Sequence, residues 1–337
     1  MALTLIATGG TIASTRNSDG SVSASLSGRD LLDGLPQRVG NSVEVADVQV
    51  IDMSVPGSWN LSTQLAVTVA DTARAALEGG SDGVVVTHGT DVLEETAWLA
   101  ELIVRNATSN GPVVFTAAMR HADEFGGDGP RNLADALILA ADPNARARGA
   151  LVCLNGEIHH SRWVRKEHAT ALCTFVSPGR GPVGEVTAGC PVFAAASPPP
   201  APAVATDREG STVIGGEVAI VASHWDLNPG LIPWLLDQGT AGLVIEGGGA
   251  GNINGNLVDG VLAALAGGVP VVVASRCLAG SVEPIYGGRG GFATLASAGA
   301  IGSRGLSAGK ARLALQVALG IDPQMSAVET YFESFDL

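Results

Sequence analysis

The amino-acid sequence predicts an α/β protein of two domains. The larger N-terminal domain is a mostly parallel sheet with flanking helices, and the smaller C-terminal domain is a second α/β unit. Three observations carry this expectation. Short β-branched runs alternate with longer amphipathic ones, a Pro/Ala-rich stretch interrupts the alternation once, and 337 residues exceed what one hydrophobic core usually spans.

In the first domain LTLIA (3–7), VQVID (48–52), GVVVTHG (83–89), PVVFTAA (112–118) and GALVCLN (149–155) are short apolar runs of the kind that form strands buried on both faces. Between them Leu61 to Leu77, Asp91 to Arg105 and Pro130 to Ala141 have helical spacing. Strand–helix alternation of this sort means parallel strands joined by crossover helices. A hairpin is expected from Glu157 to Arg165. The character then changes at CPVFAAASPPPAPAVATDREGS, whose proline run at 198–200 stiffens it into a spacer. The expected division is therefore 1–190, a linker at 191–212, and 213–337. In the second domain EVAIVASHW (217–225), GLVIEGG (242–248) and PVVVASR (270–276) are strands, with helices near Pro229, at Val258 to Ala266 and at Leu306 to Leu319.

Composition narrows the function classes. Apolar residues make up 46% and charged residues 15%, well below the roughly 25% charge of an average soluble domain, so a disordered or solvating role is excluded. The formal charge of −14 repels phosphate backbones, and no basic stripe offsets it, so no nucleic-acid partner is expected. Cys153, Cys173, Cys190 and Cys277 are widely spaced, without a CxxC pair or a His/Cys cluster, so neither a disulfide framework nor a metal site is expected. The one long apolar stretch, Gly260 to Ser275, is broken by Gly267, Gly268 and Pro270, and no membrane span is expected. The opening MALTLIATGG has no basic leader and enters a strand at once, which points to a soluble, cytoplasmic protein.

Ligands of open parallel sheets bind beyond the carboxyl ends of the strands, where loops lead into helices. Two such corners stand out. ATGGTIAST (7–15) follows the first strand; Gly9 and Gly10 permit tight turning and close backbone approach, and Thr11 is presented at the strand end. The loop has neither GxGxxG nor GK[ST] spacing, which argues against a dinucleotide or phosphate loop, and it would also serve as a plain βα turn. VVVTHGTDVLEETAWL (84–99) offers Thr90 and Asp91 at a helix entry; there Asp91 with Glu94 also fits an N-terminal cap, and an acidic first turn complements the helix dipole. Lysine occurs only at 166 and 310. Two hydroxyls, a carboxylate and one rare amine are the parts of a nucleophilic site, since a threonine hydroxyl needs a base and a lysine amine can supply it. His88 is expected as a packed strand-end residue. His159 and His160 would point to opposite faces of a strand. Asp123, Asp128 and Arg131 are expected to stabilise a Gly-rich loop.

The paired motifs ATGGTIAS and VVVTHGTDVLEETAWL closely resemble the two signatures of the bacterial-type L-asparaginases, the asparaginase/glutaminase family. TAAMRHADEFGGDGPRNLADAL (116–137) and EGGGAGNINGNL (246–257) are similar to two further segments of that family. The resemblance implies a two-domain amidohydrolase that converts L-asparagine to L-aspartate and ammonia through an acyl-enzyme, without metal or organic cofactor. It implies Thr11 as nucleophile and Thr90, Asp91 and Lys166 as a second catalytic triad. Ser58 would bind the substrate α-carboxylate and Asp91 its α-ammonium. Backbone N–H groups near Thr90 and Ala117 would hold the oxyanion, and Asn252 would complete the pocket of a neighbouring subunit in a homodimer or homotetramer. L-Glutamine, D-asparagine or another amide is the alternative substrate, and a catalytically weak amino-acid-binding homologue is the alternative from another class.

Three departures from the family pattern bear on the site. Residues 15–35 contain no tyrosine where the family has a catalytic one; Ser21 falls nearest, and the chain's two tyrosines are Tyr286 and Tyr331. Trp59 stands where the family has Gln or Glu, and would crowd the ammonium pocket and remove an acceptor. The segment SRCLAGSVEPIYGGRGG (275–291) is shorter than in periplasmic members, which leaves Glu283 without a secure counterpart to their inter-subunit glutamate.

Overall fold

The structure, a computed structural model, describes residues 1–335 except 42, 54, 56, 197, 200 and 201. The chain forms two compact units, Met1–Pro200 and Ala201–Leu337.

The first unit is built on strands β1 (Leu3–Ala7), β2 (Gln49–Asp52), β3 (Gly83–Thr87), β4 (Val113–Thr116), β5 (Ala150–Leu154), β6 (Glu157–His160), β7 (Gly184–Thr187) and β8 (Cys190–Phe193). They make one eight-stranded sheet in the order β8-β7-β6-β5-β4-β3-β1-β2. From β2 through β5 every pairing is parallel. Helices α1 (Thr63–Glu78), α2 (Leu93–Val104) and α3 (Gly129–Ala140) are the crossovers from β2 through β5, and the β1-to-β2 connection carries a short helix at Gly28–Asp33. Every residue of β1, β3, β4 and β5 is buried, because crossover helices cover both faces of a parallel sheet. On one face Leu5, Val85, Val114 and Leu151 pack against Leu133 and Leu137 of α3. Ser62 caps α1, its hydroxyl accepting the Leu65 N–H at 3.2 Å.

The sheet is less uniformly parallel than the strand–helix alternation suggests. β6, β7 and β8 run antiparallel to their neighbours. Two of the three reversals come from two-residue turns with both central residues at positive φ, Asn155 (52°) with Gly156 (79°) and Ala188 (52°) with Gly189 (74°). Such turns match the twist of paired strands, and Asn-Gly is their strongest sequence signal. Glu157–His160 therefore pairs with β5, and the hairpin expected across Glu157 to Arg165 does not form; Arg165–Lys166 pairs instead with Phe175–Val176. The front of the expected spacer is likewise strand: Cys190–Phe193 closes the sheet edge, where Pro191 is tolerated because an edge strand can lack a ladder N–H. Further along, Ala205–Thr206 pairs with Thr212–Val213.

The second unit carries a four-stranded parallel sheet, β9 (Val218–Ala222), β10 (Gly242–Gly247), β11 (Val271–Ser275) and β12 (Ile301–Gly302), in that spatial order. Its crossovers include helices at Leu231–Asp237 and Val258–Ala266, and Leu243, Ile245, Val271 and Val273 face Leu257, Val258 and Val261 in its core. Among the described residues no helix is long and apolar enough to cross a membrane.

Phe115 of β4 is fully buried. Phe115→Ala is expected to lower unfolding stability by about 3–5 kcal/mol through lost transfer energy and a residual cavity, read as a shifted midpoint in urea denaturation.

Candidate active site

β1 and β3 are adjacent, with Ala7 opposite Thr87, so the turns that leave their carboxyl ends emerge side by side. Thr8 Oγ1 donates to Thr87 O at 2.7 Å and ties the two ends together. Beyond them Gly9 and Gly10 both take φ of +84°, a conformation L-side chains rarely adopt. The approach is close: a Cβ at Gly10 would lie 2.6 Å from Gly89 N, and a Cβ at Gly89 would lie 2.6 Å from Ser58 Oγ. Gly10 thus lies against the backbone of the second turn, and Gly89 against the Ser58 side chain. Thr11 opens a short 3-10 turn that continues to Ala13.

His88 precedes that contact. Its backbone N–H donates to Thr116 O at 2.9 Å, and its Nδ1 lies 2.7 Å from Gly89 O, so the ring proton sits on Nδ1. Burial pushes its pKa down from 6.5 to about 4, against the weaker opposing effect of the Gly89 bond. His88 is a neutral packed group, as its position at a strand end suggests. Burial likewise pushes the Cys153 thiol above its ordinary range, so it stays protonated.

Thr90 is buried and Asp91 is half-exposed at the entry to α2. Lys166 Nζ donates to Thr90 Oγ1 at 2.8 Å and to Asp91 Oδ1 at 2.8 Å. The lysine reaches them from the short strand Arg165–Lys166, with its side chain only 15% exposed. Glu94 is not part of a cap: Val92 occupies the cap position without a side-chain bond. The Glu94 carboxylate instead accepts the Lys166 backbone N–H at 2.5 Å and lies 3.1 Å from Arg165 Nε.

Thr11, Ser58, Trp59, Thr90, Asp91 and Lys166 line one cleft of about 490 Å³. Ala117 is fully buried one residue beyond β4; its carbonyl accepts Asn132 Nδ2 at 2.9 Å, and Met119, two residues on, reaches the cleft. Asp128 accepts the N–H groups of Met119 and Arg120 at 2.9–3.2 Å and so fixes that loop, while Arg131 pairs with Asp135 at 2.8 Å. Trp59 does not fill the pocket. Its indole lies back over Gly57, where a Cβ would fall 2.5 Å from the ring, and it is 73% exposed at the cleft edge.

The segment after Thr11 forms a hairpin, Ser14–Arg16 with Val22–Ala24, that sequence patterning missed. Ser21 sits at its turn, donating to Asp19 Oδ1 at 2.6 Å, and it is Val22, Ser23 and Ala24 that line the cleft. Asp123 anchors the hairpin by accepting the Arg16 N–H on both oxygens, at 3.1 and 3.2 Å. His159 and His160 have separate partners, Ser177 Oγ for the first and the Arg162 N–H for the second. Among the described residues no group of three or more His, Cys, Asp or Glu could hold a metal ion.

In the second unit Asn252 Oδ1 accepts the Phe292 N–H at 3.3 Å, and the Glu283 N–H donates to Ala250 O at 3.0 Å in the same loop cluster. Tyr286 belongs to that unit as well and is 57% exposed.

Family models match both units. One described as "Asparaginase, N-terminal" covers residues 2–198, and one described as "Glutaminase/Asparaginase C-terminal domain" covers residues 217–332. The chain belongs to the asparaginase family. A relative named "Probable L-asparaginase" from Deinococcus radiodurans is 36% identical, covering 98% of this chain and 96% of its own length. Another, named "Probable L-asparaginase periplasmic" and from Haemophilus influenzae, is 32% identical over 99% of this chain and 93% of its own. The crystal structure of the "Probable Cytoplasmic L-asparaginase from Campylobacter jejuni" superposes with a TM-score of 0.85 at 30% identity, over 98% of this chain and 99% of that one.

Because the folded His88 resists protonation while the unfolded chain takes up a proton near pH 6.5, its contribution to stability is complete above pH 6.5 and is lost as pH falls toward 4, about 3 kcal/mol in all. The NMR signals of its ring are expected to remain those of a neutral imidazole at pH 5.5; a titration midpoint near 6.5 would contradict the burial account.

Proposed function

We propose that this protein is an L-asparaginase that hydrolyses the side-chain amide of L-asparagine to L-aspartate and ammonia through a threonine-bound acyl intermediate. The observation that carries the proposal is the pair of 2.8 Å contacts from Lys166 Nζ to Thr90 Oγ1 and Asp91 Oδ1, made in the cleft that also holds Thr11. Membership of the asparaginase family supports it over other amide-cleaving chemistries.

In the proposed mechanism Thr11 Oγ1 attacks the carboxamide carbon and forms a C–O bond. Lys166, acting through Thr90, takes up the hydroxyl proton and returns it to the departing nitrogen as the C–N bond breaks and ammonia leaves. A water then attacks the ester carbon and gives its proton to the same pair, and Thr11 recovers a proton as the aspartate carboxylate is released. With Val22, Ser23 and Ala24 rather than a phenol on the hairpin side of the cleft, Lys166 is the base for both halves of the reaction. Backbone N–H groups near Thr90 and Ala117 face the developing oxyanion, a contribution of about 3 kcal/mol per donor.

The zwitterionic substrate calls for an acceptor and several donors. The half-exposed Asp91 carboxylate takes the α-ammonium, and the buried Ser58 hydroxyl donates to the α-carboxylate. Trp59 walls the cleft edge. Asn252 is assigned to the pocket of a neighbouring subunit, which makes the working form a homodimer or homotetramer, and the cytoplasm is the proposed compartment.

Lys166→Met keeps the bulk of the stem and removes the base. It is expected to fold normally and to lose about 10²–10⁴-fold in kcat for ammonia release from L-asparagine, measured beside L-glutamine and D-asparagine. Wild-type turnover in this variant would refute the triad; calorimetric binding of L-asparagine to the unmodified protein without ammonia release would refute hydrolysis itself. Light scattering of the active protein is expected to give a dimer or tetramer mass, and a fully active monomer would remove Asn252 from the site.

A further inference from the structure

Thr90, Asp91 and Glu94 lie on one helix entry, and all three contact the same residue of another strand. Thr90 and Asp91 hold the tip of Lys166, whereas Glu94 holds its backbone. The Glu94 carboxylate is 13% exposed and divides its oxygens, Oε2 to the Lys166 N–H at 2.5 Å and Oε1 to Arg165 Nε at 3.1 Å. A charge-assisted bond to a main-chain N–H fixes position more tightly than a neutral one. Lysine has a flexible four-carbon stem, so its amine can stay within 2.8 Å of two partners only if the backbone that bears it is also fixed. The neighbouring guanidinium compensates the buried carboxylate, which would otherwise be left without a counter-charge.

We infer that Glu94 is a positioning residue for the hydrolysis. By gripping the backbone of Lys166 and pairing with Arg165, it sets the register of the short strand Arg165–Lys166, and hence the place of the amine that receives and returns the proton. This inference rests on the assignment of Lys166 as the base. Glu94 touches neither substrate nor the reacting atoms. It acts on the lysine at the end remote from the chemistry, and displacement of a catalytic group by about 1 Å can cost about 100-fold in rate.

The test compares Glu94→Ala, Glu94→Gln and Arg165→Gln in the full chain. Glu94→Ala removes the acceptor and is expected to lower kcat about 10–100-fold with KM for L-asparagine changed less than about threefold. Glu94→Gln keeps an oxygen to accept the Lys166 N–H and is expected to recover most of the loss. Arg165→Gln, which leaves the backbone bond in place, is expected to fall between them. A second readout does not depend on activity. Because lysine occurs only at 166 and 310, protein labelled with ¹⁵N-lysine shows two lysine amide signals. The Lys166 amide proton, strongly deshielded by the carboxylate, should move upfield in Glu94→Ala and return in Glu94→Gln. Wild-type kcat with an unmoved amide signal in Glu94→Ala, or a loss confined to KM, would overturn the inference. Should the unmodified protein release no ammonia at all, the hydrolysis proposal falls, while an amide shift would still establish the backbone grip and an unmoved one would remove it.

Discussion

The site depends on a contact that admits no side chain. Gly10 rests on the backbone of Gly89, and Gly89 in turn rests on Ser58, each at a distance where a single Cβ would collide with the neighbouring segment. This close approach lets three separate loops converge so that Thr11, Thr90 and Ser58 share one cleft. Glycine pays for such freedom with conformational entropy on folding. Here the cost is met by a sheet whose central strands β1 and β3 are buried along their whole length and whose register sets the two turns level with each other.

Lys166 arrives from farther away, and the topology explains how. After five parallel strands the chain reverses through Asn155–Gly156, and β6 runs back along β5. The short pair of Arg165–Lys166 with Phe175–Val176 follows, and from it the lysine stem spans the remaining distance to Thr90 and Asp91. A lysine alone in sequence, with no basic neighbour but Arg165, is thus an organised part of the site rather than a solvated charge. The Asp123 bond to Arg16 plays a comparable part for the hairpin that borders the cleft.

Much of this was legible in the amino-acid sequence, for identifiable reasons. Strands covered on both faces must be uniformly apolar, so LTLIA, GVVVT and ALVCL announced themselves, and the glycines beside Thr11 and Thr90 marked the two corners. The antiparallel edge was also written there, in Asn155–Gly156, but the signal is two residues long and competes with the parallel pattern before it. Other features depend on contacts between residues far apart in the chain. Glu94 looks like a helix-cap residue until the strand that bears Lys166 is laid against it 72 residues later. Trp59 looks like an obstruction until its ring is seen lying on Gly57. The hairpin from Ser14 to Ala24 has too few apolar residues to show strand periodicity, and its pairing and the Asp123 anchor define it instead.

The central claim is that two turns and one amine converge on a single carbonyl carbon. A crystal structure of the protein soaked with L-aspartate tests it most directly. The account predicts the product's side-chain carboxylate within hydrogen-bonding distance of both Thr11 Oγ1 and Thr90 Oγ1, with its α-ammonium at Asp91 and its α-carboxylate at Ser58. Aspartate bound elsewhere, or bound in the cleft with its side chain turned away from both hydroxyls, would contradict it.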